Sequence, residues 1–131
     1  MTHSIGEPDM KLKFDVAGKH QPDPFIFEDG EKLYLYVTGV NGVEAYSADD
    51  IFGVWHYEGV VAYMEGYNEF WAPSVAKIDG KYYIYVSGFE GVHCYVSDTL
   101  SEGYKDIGIV FRAEGCKEYW APSVTFTHGK Y

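Results

Sequence analysis

One carboxylate stands where a repeated pattern otherwise carries alanine. The segment Trp71-Ala72-Pro73-Ser74-Val75 recurs as Trp120-Ala121-Pro122-Ser123-Val124, a shift of 49 residues. The same shift carried backwards makes Pro24 the partner of Pro73 and Pro122, and places Asp23 level with Ala72 and Ala121. A lone carboxylate at such a break can serve as a general base if it is aimed at a bound water. An aspartate before a proline is also a common turn residue, and the spacing leaves both roles open. Trp71 and Trp120 could stack against a flat apolar ligand such as the C–H face of a sugar, or could pack between neighbouring sheets. His20 and Gln21, beside Asp23 in the run His20-Gln21-Pro22-Asp23-Pro24, join the two tryptophans as candidate substrate contacts.

Other chemistry is not signalled. Glu69 and Glu118 sit at matching repeat positions; either could be a second acid, although presence in every repeat favours a structural role. Glu28, Asp29 and Glu31 read as turn and surface residues. His20, His93 and His128 lack metal-ligand spacing, so no metal and no cofactor is expected. There is no G-x-S-x-G, no glycine-rich phosphate loop and no H-E-x-x-H.

The elements that must position Asp23 follow from the repeat. Tyr34 falls on Tyr83, Tyr36 on Tyr85, Gly42-Val43 on Gly91-Val92, Tyr46 on Tyr95 and Gly59 on Gly108. Within the first unit Leu33, Leu35 and Val37 alternate with Tyr34, Tyr36 and Thr38, the period of a strand. Four strands are predicted in each unit: Pro24 to Phe27, Lys32 to Thr38, Val43 to Ser47 and Val54 to Val61, then Pro73 to Ile78, Lys81 to Ser87, Val92 to Ser97 and Tyr104 to Phe111. Glu28-Asp29-Gly30 reads as the first turn, Asn41-Gly42 as a hairpin turn, and Lys11 to Val16 as one more strand. Four strands every 40 to 50 residues are the signature of propeller blades. The expected fold is all-β, a partial β-propeller of about two and a half four-stranded blades. Residues 1–20 form an N-terminal segment, 21–69 a first blade, 70–118 a second, and 119–131 the start of a third that stops inside a predicted strand.

Composition narrows the partners. Twenty acidic against ten basic residues give a net charge of −10, which argues against nucleic acid and anionic membrane surfaces. No apolar run approaches the length of a membrane span. Met1 to Lys19 lacks the charged start and apolar centre of a secretory signal. With only Cys94 and Cys116 present, a cytoplasmic location with free thiols is the expectation. Thirteen tyrosines within an aromatic content of 18% suit half-buried pleated surfaces.

The motifs resemble a known family. Gln21-Pro22-Asp23-Pro24-Phe25-Ile26, followed by Lys32-Leu33-Tyr34-Leu35-Tyr36, resembles the opening blade of glycoside hydrolase family 43. Phe70-Trp71-Ala72-Pro73-Ser74-Val75 and then Asp79-Gly80-Lys81-Tyr82-Tyr83-Ile84-Tyr85 resemble the start of its second blade. The resemblance implies a five-bladed propeller that cleaves arabinose- or xylose-containing glycans with inversion, and Asp23 as general base. It also implies a general-acid Glu from a later blade and an orienting Asp where the third blade opens. Here that last position holds Ala121, and no counterpart of the acid can be assigned. The expectation is a hydrolase-like propeller fragment, incomplete for catalysis. The alternatives are a non-catalytic carbohydrate-binding module, or a partial propeller whose copies associate to close a ring.

Overall fold

The computed structural model describes residues 11–15, 22–63, 71–88, 90–116, 119, 121–124 and 129–130. Those residues form nine strands: β1 (Lys13–Phe14), β2 (Phe25–Asp29), β3 (Lys32–Thr38), β4 (Val43–Ala48), β5 (Val54–Ala62), β6 (Trp71–Ile78), β7 (Lys81–Ser87), β8 (Val92–Ser97) and β9 (Lys105–Phe111). Two sheets result, ordered β1-β5-β4-β3-β2 and β6-β7-β8-β9. Strands β2 to β5 and β6 to β9 are each an antiparallel meander. They are two adjacent blades of a partial all-β propeller.

The alternation in β3 explains how the first sheet buries both faces. Tyr34 and Tyr36, with Val43 and Ala45, pack against Tyr82, Ile84 and Val86 of the second sheet. Leu33, Leu35 and Val37 point the other way, with Tyr46, Ala48 and Trp55, and are covered by Leu12 and Phe14. The short strand β1 fixes that cover by pairing in parallel with β5, Lys13 opposite Val54 and Phe14 opposite Trp55.

The two blades share their irregularities. The β4–β5 register shifts between Ala45 and Tyr46, and the β8–β9 register between Cys94 and Tyr95. Opposite the shifts stand Gly59 (φ 105°) and Gly108 (φ 90°), which supply a backbone that side chains resist.

Asn41-Gly42 lies in the hairpin turn between β3 and β4, as expected. Thr38 pairs with Val43, so the loop spans residues 39–42, closed by Gly39 N donating to Gly42 O at 2.8 Å. A side chain at Gly42 would run into the Ala62 carbonyl oxygen; close approach of the backbone, rather than a tight turn, requires the glycine. The first turn begins two residues later than expected, because Asp29 pairs with Lys32 and Gly30-Glu31 forms the connection. The predicted strand from Lys11 to Val16 is ordered in the ladder only at Lys13–Phe14, and Val16 lies outside the described residues.

Asp29 is more than a surface residue. Its carboxylate accepts from Tyr82 Oη at 2.7 Å and from Lys77 Nζ at 3.3 Å, both in the second sheet. The Tyr82 hydrogen bond is the main cause of a lowered Asp29 pKa. Phe27 meets the Tyr82 ring edge-on at 6.3 Å. This cluster and the mixed core join the blades.

Candidate functional site

The site is built from three repeated dipeptides. Asp23, Ala72 and Ala121, each followed by proline, have φ of 56°, 53° and 47°. The left-handed region costs an ordinary residue about 1–2 kcal/mol, yet all three repeat positions adopt it. The kink turns each segment toward a common opening of about 240 Å3. Its walls are Asp23-Pro24-Phe25, Ala72-Pro73-Ser74 and Ala121-Pro122-Ser123. Residues separated by 49 and 98 positions in the chain thus meet at one hub. Pro73 also interrupts the β6–β7 ladder, whose register shifts between Trp71 and Ser74, as expected of a residue with no N–H to donate.

Among the described lining residues Asp23 carries the one charged side chain. It is exposed, and its Oδ2 accepts from Thr38 Oγ1 at 3.1 Å. Thr38 is 8% exposed at the end of β3. Its backbone N donates to Pro22 O at 3.1 Å, and its Oγ1 accepts from Ala72 N at 2.9 Å. A held carboxylate at a solvent-connected opening has the chemistry of a proton acceptor. Among the described residues that line the opening there is no second carboxylate.

Of the other predicted contacts only Trp71 belongs to the described residues. It begins β6 opposite Ser87, is 39% exposed, and precedes Ala72 without being among the lining residues of this opening. His20, Gln21 and Trp120 lie outside the described residues, as do Glu69 and Glu118. Thr38 was missed by the sequence reading; its signal is Ser87, a second hydroxyl 49 residues on.

A larger groove of about 590 Å3 lies against the far side of the second sheet, lined by Tyr85, Val92, Val110, Phe111 and residues of the third unit. Tyr119 enters it, its ring 6.1 Å from Phe111 and its hydroxyl donating to Ala113 O at 2.9 Å. Among the described lining residues there is no carboxylate and no imidazole. His93 is buried within β8, and burial lowers its pKa. Cys94 is buried and its thiol is pushed up to about 11 by desolvation, so it is a poor nucleophile.

Comparison with known proteins agrees with this architecture. No curated protein sequence matches the chain. Among solved structures, the endo-arabinase of Bacteroides thetaiotaomicron superposes with a TM-score of 0.63 at 23% identity, over 82% of this chain and 40% of that one. The α-L-arabinanase of Cellvibrio cellulosa gives 0.61 at 24% identity, over 71% and 36%. A β-xylosidase gives 0.63 at 21% identity, over 76% and 38%. At these identities the likeness shows the fold, and the chain spans well under half the length of each structure. The sequence model of glycosyl hydrolases family 43 matches residues 16–111. That match takes in both described blades and the Asp23-Pro24 kink at their hub, and on it the chain belongs to glycosyl hydrolases family 43.

Proposed function

We propose that this chain forms the opening blades of an inverting glycoside hydrolase acting on arabinose- or xylose-containing glycans, with Asp23 as the general base. The observation that carries the reading is the convergence of three X-Pro kinks on one opening, where only the first brings a carboxylate. Asp23 would take a proton from a water as that water bonds to the anomeric carbon and the glycosidic C–O bond breaks. The leaving oxygen then needs a proton from a second carboxyl group. In inverting enzymes that group stands roughly 6.5–9.5 Å from the base. The described opening offers none, and in this reading the acid comes from elsewhere in a longer polypeptide. The arabinose and xylose preference rests on the neighbours, among them the Cellvibrio cellulosa arabinanase solved with arabinohexaose.

That no second carboxyl group is among the described lining residues directs the test. A p-nitrophenolate leaving group departs without protonation, so p-nitrophenyl arabinofuranoside and xyloside probe the base alone. The chain is expected to hydrolyse one of these aryl glycosides and to leave natural glycans uncut. Asp23→Asn should lower aryl glycoside turnover about 10²-fold or more. Full turnover by that variant would remove Asp23 from the role. A second reading is sugar binding without chemistry; arabino-oligosaccharide binding with no aryl glycoside turnover would favour it.

A further inference from the structure

We propose that Thr38 is a positioning residue for Asp23, holding one carboxylate oxygen so that the other is presented to water; this rests on the reading of Asp23 as the base. A hydroxyl has one proton to give and lone pairs to accept with. The Ala72 N–H, 2.9 Å away, donates to Thr38 Oγ1. The Thr38 proton is then directed at Asp23 Oδ2, 3.1 Å away, which as a carboxylate oxygen only accepts. Among the described residues Asp23 has no other hydrogen-bond partner, so Oδ1 is the oxygen left for a water.

The clamp is stiff on both sides. Thr38 is nearly buried and β-branched, which restricts its χ1. Its own N–H holds the carbonyl of Pro22, the peptide just before Asp23. The hydroxyl therefore ties the kink of the first blade to that of the second while fixing the carboxylate between them.

The second blade provides an internal control. Ser87 occupies the place of Thr38 and Ala72 the place of Asp23. The Ser87 hydroxyl is fully buried and, among the described residues, has no hydrogen-bond partner. Where the repeat lacks the carboxylate, the hydroxyl at this strand position has no acceptor among the described residues. Tying the blades together does not explain the Thr38–Asp23 bond, because the Ala72–Thr38 bond already does so.

The test compares the wild-type chain with Thr38→Val, Thr38→Ser and Asp23→Asn. Three-bond couplings at the Asp23 Cβ protons report whether its χ1 is one rotamer or an average. A single rotamer is expected in the wild type and Thr38→Ser, and averaging in Thr38→Val; Thr38→Ala carries the same comparison if the valine variant misfolds. On aryl glycosides, kcat should fall about 10-fold in Thr38→Val, with KM moving less than about twofold and Thr38→Ser restoring most of the rate. An Asp23 that keeps one rotamer without the hydroxyl overturns the proposal, whatever the turnover. Full turnover by Asp23→Asn overturns the base reading instead, and leaves the rotamer result standing. The coupling measurement decides the positioning role even where no turnover is seen.

Discussion

Tyr36 Oη donates to the carbonyl oxygen of Leu100 at 2.7 Å, joining residues 64 positions apart. Tyr36 is completely buried, and burial is the main cause of its raised pKa, so the hydroxyl remains a donor across the neutral range. Tyr104 Oη donates to the same carbonyl at 2.9 Å. Tyr36→Phe therefore removes one bond without stranding the acceptor. The expected loss is about 1 kcal/mol, seen as a lower urea midpoint with an unchanged slope.

Two glycines with similar backbone demands should respond differently to alanine. At Gly59 (φ 105°) a Cβ would meet nothing within 4 Å, so the variant bears conformational strain alone, about 1 kcal/mol. At Gly42 (φ 141°) the added carbon collides with the Ala62 carbonyl and lies 2.9 Å from Tyr63 Cβ. Gly42→Ala should cost roughly twice as much or more. Paired thermal melts check the order, and equal shifts would refute the close-approach argument.

The Asp29–Tyr82 bond predicts a pH dependence at both ends. The folded Asp29 pKa lies below 3.8, chiefly through the Tyr82 hydrogen bond, with Lys77 assisting and desolvation opposing. Its contribution is full above the unfolded value and is lost as pH falls through the folded one. The Tyr82 pKa is raised above 10.0, first by the bond to Asp29 and then by burial. That contribution is full below the unfolded value and is lost as pH rises through the folded one. The stability difference between wild type and Asp29→Asn should thus be flat near neutrality, shrinking below about pH 4 and above about pH 10. Chemical denaturation across that range measures it.

Removing the cover of the first sheet should expose its outer core. The Phe14 ring stands 4.9 Å from Tyr46, beside the fully buried Trp55. Phe14→Ala is expected to cost about 2–3 kcal/mol, less than for a fully enclosed ring, and to increase binding of a hydrophobic dye. An unchanged melting temperature would mean that β1 is not holding this face.

The repeat and the alternation of apolar residues were sufficient for the blades, because strand period and turn chemistry are local properties. Leu33, Leu35 and Val37 separate from Tyr34 and Tyr36 on paper as they do across β3. The reach of Asn41-Gly42 was not legible, since Ala62, which sets the close approach there, lies 20 residues away. Nor was the part played by Asp29, whose partners Lys77 and Tyr82 belong to the next blade.

By itself the amino-acid order determined the unit, its strands, and the break at Asp23. Only tertiary structure decided that Asp23, Ala72 and Ala121 face one opening and that the Thr38 hydroxyl bonds the carboxylate. The physical reason is range. Pleating and turns are fixed by neighbours within a few residues, whereas a site at a hub exists only once blades have packed and brought distant kinks to the same axis.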